Sequence, residues 1–304
     1  MANIILGYRQ PMDKLGNAVM SYSNSTHDAL TELDHHVLPM GEGHKFTSFD
    51  SIPPLTLKQA DLFLDLDSGR NSEGNLSFQT EKPPLPSAVR YIDTHGYPSF
   101  HKRLSYNYDH VFFAVWAKRD IFTHHTSVHW CPNASDSKYF YKDIQPDIHD
   151  SRPIDVGFFG SKGGLDRTDA CRAICERHSW TTDFREIGRN GQRWPKTALA
   201  MAYCKVLFNQ GQKHDGPNQR VIESMLMNRP LVTDHDDTDG MRELFEPGEH
   251  YLSYKSDAEL ANNIEWCIRE PSLATAMAKR AYEEALNKHQ VKHRVAQILE
   301  VSLG

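Results

Sequence analysis

The stretch Lys205–Glu243, KVLFNQGQKHDGPNQRVIESMLMNRPLVTDHDDTDGMRE, decides the fold class. Its opening run KVLFN is short, apolar and closed by an amide, the pattern of a strand buried on both faces of a parallel sheet. A polar loop follows, and Pro217 opens a helix, because the N–H that proline lacks is unused in a first turn. The spacing predicts that helix over Asn218–Asn228 and a second strand over Pro230–Asp234 (PLVTD). Strand, helix and strand in about thirty residues make a βαβ unit with parallel neighbours.

The same alternation extends outward in both directions. Upstream come strand Asp155–Gly160 (DVGFFG), helix Asp166–His178, strand Phe184–Gly188 and helix Pro195–Tyr203. Downstream, the tail from Asp257 is helical, its apolar pattern opening with Leu260, Ile264 and Trp266. In the first half, strands are expected at Asn3–Tyr8, His36–Met40, Asp61–Leu66, Val89–Asp93, His110–Val115 and Val128–Cys131, with a helix at Gly16–Leu33. Asp67–Ser87 is a polar loop; its KPPLP ending fits a rigid connector better than a proline-rich ligand. Lys142–Pro153 lacks apolar periodicity and is expected to link two domains. The expected class is therefore α/β, with two Rossmann-like, doubly wound lobes facing across a cleft. The boundaries are 1–148 for the first lobe, 149–285 for the second, and 286–304 for a terminal helix that packs back on the first.

With 304 residues and a formal charge of −6, the chain is long enough for two cores and is not coated in basic surface. Lys102–Arg103 and Lys118–Arg119 are thin evidence for a nucleic-acid arm. Five scattered cysteines (131, 171, 175, 204 and 267) suit buried free thiols better than a redox or zinc pair. No signal-like start and no apolar run of about 18 residues is present, so a cytoplasmic location without a transmembrane segment is expected.

Several residues carry candidate chemistry, each with a plainer alternative. Asn209 ends a strand, and the first-turn amides around Asn218, Gln219 and Arg220 are free to meet a phosphate. Glu223, one turn on, can accept bonds from ribose hydroxyls or simply be a solvated helix residue; Asp215 can face the same ligand or form a turn. The glycine-rich segment Gly160–Arg167 (GSKGGLDR) lets backbone approach a phosphate, but it lacks the Gly-Lys-Ser/Thr ending of a P-loop. Within it Lys162 and Arg167 can neutralise a diphosphate or sit in a solvated turn. Asp93 and His95 (YIDTHG) stand beyond a strand, where a base or hydrogen-bonding group for an acceptor belongs, or where a loop imidazole is satisfied by backbone. Gly16 and Asn17 either admit a diphosphate or start a helix. The run Asp234–Asp239 (DHDDTD), the pair Asp65 and Asp67, and the set His124, His125, His129 and Cys131 are tempting as metal sites. Their spacing fits solvated turns and no standard zinc site, so no metal is expected.

The run from Asp215 to Glu223, with its SMLMNRPLVTD continuation, resembles the donor-binding segment of group 1 glycosyltransferases of the GT-B fold. The similarity is greatest to spore-maturation-type (CgeB-like) members. GMRELFEPGEHYLSYKSDAELANNI and the HQVKHR helix start continue the likeness, which covers Ile154–Leu303 and, more loosely, Tyr91–Phe140. The resemblance implies that an acidic residue and a glutamate separated by seven residues grip a nucleotide sugar. Here they are Asp215, an aspartate where the family has glutamate, on the sugar hydroxyls, and Glu223. It also implies a basic residue at Arg167. The activity implied is transfer of a sugar from a nucleotide-diphosphate donor to an acceptor hydroxyl, metal-independent, retaining and without a cofactor. The acceptor is a glycan, a small molecule or a modified DNA base. A sugar-nucleotide epimerase on the same fold and a non-catalytic sugar-nucleotide-binding protein remain as alternatives.

Overall fold

The computed structural model describes residues 1–10, 21–66, 81–92, 98–141, 143, 152–160, 166–187, 194–211, 216–235 and 239–304. The chain divides into two compact units, Met1–Asn133 with Val291–Gly304, and Ala134–Gln290.

The first unit holds a six-stranded parallel sheet. In chain order its strands are β1 Asn3–Gly7, β2 His36–Met40, β3 Leu62–Asp65, β4 Ser87–Tyr91, β5 His110–Phe113 and β6 Val128–Trp130. Their spatial order is β2-β1-β3-β4-β5-β6, so the chain reverses direction across the sheet between β1 and β3. Pro39 is tolerated in β2 because that strand lies at the edge, where a missing N–H costs no ladder bond. Helices α1 Tyr22–Glu32, α2 Pro54–Lys58 and α3 Pro98–Ser105 cover the strands. Helix α1 starts at Ser21, whose hydroxyl accepts from the Asn24 N–H. The core joins Ile5, Phe63, Val89, Tyr91, Val111, Phe113 and Phe122.

The second unit holds β7 Ile154–Gly160, β8 Thr182–Glu186, β9 Cys204–Asn209, β10 Leu231–Thr233 and β11 Leu252–Ser253. All pairs are parallel and the order is β11-β10-β9-β7-β8, so this sheet reverses between β7 and β9. Helices α4 Asp169–His178, α5 Trp194–Ala202, α6 Gln219–Leu226, α7 Asp257–Arg269 and α8 Pro271–Lys288 complete the unit. Val156, Phe158, Val206, Phe208 and Val232 meet Ile174, Leu260 and Ile264 in its core. Strand β8 begins two residues before the expected Phe184. At this edge its burial is shallow, so apolar periodicity marks the start poorly, and Thr181 fixes it by bonding Asp155.

The terminal helix α9 Val291–Leu303 returns to the first unit, where it packs on α1, β4 and β5. Its Arg294 Nε donates to the Pro132 carbonyl at 3.2 Å, and its Gln297 amide donates to the Trp130 carbonyl at 2.9 Å. Arg90, buried in β4, donates to the carbonyls of Cys131 and Pro132 and stacks on the Tyr22 ring. All five cysteines are buried and free. Among the described residues, no helix is long and apolar enough to cross a membrane.

Candidate functional site

In an open parallel sheet the loops on either side of the reversal point diverge, leaving a crevice beyond the carboxyl ends of the strands. In the second unit those ends are Gly160 on β7 and Asn209 on β9. One side chain ties them together. Arg220, in the first turn of α6, donates from Nε to the Phe159 carbonyl at 2.5 Å and from Nη1 to Asn209 Oδ1 at 2.6 Å. Its guanidinium lies 4.3 Å above the Phe158 ring. Gly160 makes room for this lock, because a Cβ at that position would crowd Nη2 of Arg220 and the Phe158 ring. Asn218, the residue capping α6, donates to the same Asn209 oxygen at 3.1 Å, and Asn209 passes the chain on to the Thr233 hydroxyl at 3.0 Å.

Arg220 is partly buried, and desolvation lowers its pKa to about 10; Glu223 partly restores it and neighbouring Arg167 lowers it further. No carboxylate of the described residues lies within ion-pair distance of Arg220, and Nε of Arg167 is buried without a hydrogen-bond partner. Two guanidinium groups thus lie near one another, and Glu223 is the acid that interacts with Arg220. Glu223 sits one turn along α6 and is 9% exposed. Burial pushes its pKa up to about 7, against a partial pull downward from Arg220 and from the amide of Gln219.

Of the residues singled out from the sequence, the structure brings Gly160, Arg167, Asn209, Asn218, Gln219, Arg220 and Glu223 into this one region. Asp93, His95, Gly16, Asn17, Lys162 and Asp215 lie outside the described residues, as do Asp67, Asp236 and Asp237 of the acidic runs. The described members of those runs have separate partners. Asp65 accepts from the Tyr108 hydroxyl, Asp234 accepts from the Gly211 N–H at 2.7 Å, and Asp239 pairs with His235. His124, His125 and His129 bond to Ser105, to the Tyr108 carbonyl and to Ser127 respectively. Among the described residues, no group of three His, Cys, Asp or Glu side chains is placed to hold a metal ion.

Sequence reasoning missed two participants. Thr233, which links Asn209 to the β10 side of the site, carries no sequence signal beyond that of an ordinary strand residue. His235 stands within an acidic run, and its only signal is the spacing of four from Asp239.

Solved structures share this architecture over almost their whole length. The sucrose-phosphate synthase of Thermosynechococcus elongatus superposes with a TM-score of 0.63 at 13% identity, covering 99% of this chain and 98% of that one. This is the GT-B fold. Anabaena HepE, solved with UDP-glucose, has a TM-score of 0.61 at 14% identity, covering 99% of each chain. T4 phage BGT, solved in complex with its UDP-glucose substrate, has a TM-score of 0.60 at 12% identity, again over 99% of each. Residues 162–300 match a family model described as glycosyl transferase-like, a span that includes α6 and all the described site residues except Gly160 and the residues of β7. No curated protein matches the sequence.

Proposed function

We propose that this GT-B chain transfers a sugar from a nucleotide-diphosphate donor to an acceptor hydroxyl, with retention of anomeric configuration and without a metal ion. One observation carries the reading. Arg220 and neighbouring Arg167 place two positive charges at the sheet reversal of the second unit, beside the first turn of α6. Helix-terminal amides and guanidinium groups together suit a diphosphate. In the transfer, negative charge builds on the leaving phosphate oxygen as the glycosidic bond stretches. Fixed donors in an enclosed site stabilise that charge without reorganising. Arg220, held by Phe159, Asn209 and Phe158, is pre-organised for this role. Glu223 is assigned to the ribose hydroxyls of the donor, and Asp215 to those of its sugar. Asp93 and His95 are assigned to the acceptor or the transferred sugar, with Gly16 and Lys162 on the diphosphate. The two neighbours solved with UDP-glucose make a uridine donor the first to test.

The test is a thermal-shift screen of the protein against UDP-, GDP-, ADP- and dTDP-sugars, followed by turnover with the donor that raises the melting point. Activity should persist in EDTA, and the product anomer read by NMR should match the donor's. Arg167→Ala should lower turnover by about 10²–10³ while changing donor affinity much less. Absence of any shift across the panel would overturn the reading. An isomerised donor formed without acceptor would replace transfer by epimerisation.

A further inference from the structure

His235 is 2% exposed, yet its Nε2 has no hydrogen-bond partner. The rest of the ring is fixed. Nδ1 bonds Asp239, which is also buried, and the second oxygen of Asp239 accepts the Met241 N–H at 2.9 Å. A carboxylate on Nδ1 holds the proton there, so Nε2 presents a lone pair. Leaving such a nitrogen buried and unpaired is costly, and folded proteins seldom do so without a use for it.

Its position gives the use. His235 follows β10 at the carboxyl end of the sheet, and its N–H reaches the Thr233 hydroxyl at 3.4 Å. That hydroxyl also takes the Asn209 amide, and Asn209 in turn holds Arg220. The backbone at His235 is therefore joined through two side chains to the cation assigned to the diphosphate. Across from it lies Gly211, just beyond β9, which is secured by its N–H on Asp234. A Cβ at Gly211 would stand 2.7 Å from Cε1 and 3.1 Å from Nε2, so this edge of the ring tolerates no side chain at position 211.

We infer that His235, oriented by Asp239 and faced by a glycine in place of a side chain at position 211, accepts a hydrogen bond at Nε2 from a hydroxyl of the sugar carried by the nucleotide donor. A neutral hydroxyl is the matching partner, since the anionic diphosphate is served by Arg220 and Arg167, and Glu223 is assigned to the ribose. His235 is then a residue that selects and positions the transferred sugar. The inference rests on the nucleotide-sugar reading of the same unit.

The experiment compares two ligands on each protein: the nucleotide sugar that the wild type binds best, and the matching nucleoside diphosphate. His235→Ala should weaken the nucleotide sugar by about 3–10-fold, the range of one hydrogen bond, and leave the diphosphate within about twofold of wild type. His235→Gln, which places an amide where Nε2 stood, should restore part of the loss. Gly211→Ala, which covers the ring edge and removes no polar group, should reproduce the sugar-selective loss and guards against a His235 variant that does not fold. Equal weakening of both ligands, or no weakening of either, would overturn the inference and leave the donor site standing. Failure of the wild type to bind any nucleotide sugar would overturn both.

Discussion

Glu223 provides a measurement that needs no substrate. Its carboxyl has an ordinary pKa of 4.5 and is raised by burial to about 7 in the folded chain. An acid whose folded pKa exceeds its unfolded one binds more protons when folded, so stability falls as pH rises between the two values. At about 1.4 kcal/mol per pH unit, the gap from 4.5 to about 7 corresponds to about 3 kcal/mol lost between pH 4 and pH 8. Glu223→Gln keeps the shape of the protonated acid and cannot ionise. It should match wild type near pH 4 and exceed it by about 3 kcal/mol at pH 8. The assay is urea unfolding of both proteins across that range. Subtracting the two curves matters because His35, His44, His110, His124, His129, His250 and His293 have lowered pKa values, chiefly through desolvation. They favour the neutral ring in the folded state and add stability as pH rises, the opposite sign, but they are common to both proteins. A difference between the two proteins that stays constant from pH 4 to pH 8 refutes the argument. It would mean that the Glu223 carboxylate is as well solvated in the folded chain as in the unfolded one.

Two further perturbations probe other parts of the second unit. Gly160→Ala drives a methyl into the Arg220 guanidinium and the Phe158 ring; equilibrium unfolding should show a loss of about 1–3 kcal/mol, and calorimetry a donor affinity lowered at least tenfold. Asp155→Asn breaks the contacts of a carboxylate bound by Lys205 Nζ at 2.8 Å and by Thr181. Burial alone would raise the pKa of Asp155, but the bonds from Lys205 and Thr181 outweigh it and hold the group below 3.8. Stability from this carboxylate is therefore present above pH 3.8 and is lost as pH falls through the lower folded value. The variant should be about 1–3 kcal/mol less stable at pH 7, with the deficit shrinking below pH 4.

Local rules made most of the architecture visible. KVLFN and PLVTD became β9 and β10 because a strand buried on both faces leaves an unmistakable apolar run. The short helices α2 and α3 left no such mark, having too few turns for a periodic face to emerge. The site was half legible. Asn218, Arg220 and Glu223 fall within one helix start, so spacing alone grouped them. The lock between Arg220 and β7 spans 61 positions and depends on the parallel pairing of β7 with β9, which no local pattern encodes. His235 was hidden for another reason. Among aspartates it reads as one more polar turn residue, and only burial distinguishes an oriented imidazole from a solvated one.

The ordering of the two units along the chain has a consequence for assembly. The first unit owns both the beginning of the sequence and Val291–Gly304, with the whole second unit threaded between them. During synthesis the second unit can close as soon as Gln290 has left the ribosome, whereas the first still lacks Val291, Val295, Ile298 and Leu299, which it buries. Each such side chain contributes about 1.5–3 kcal/mol, so the earliest strands wait, uncovered on the α9 side, until α9 arrives. A fragment ending at Asn133 is an unfinished unit and should be captured by chaperones or precipitate.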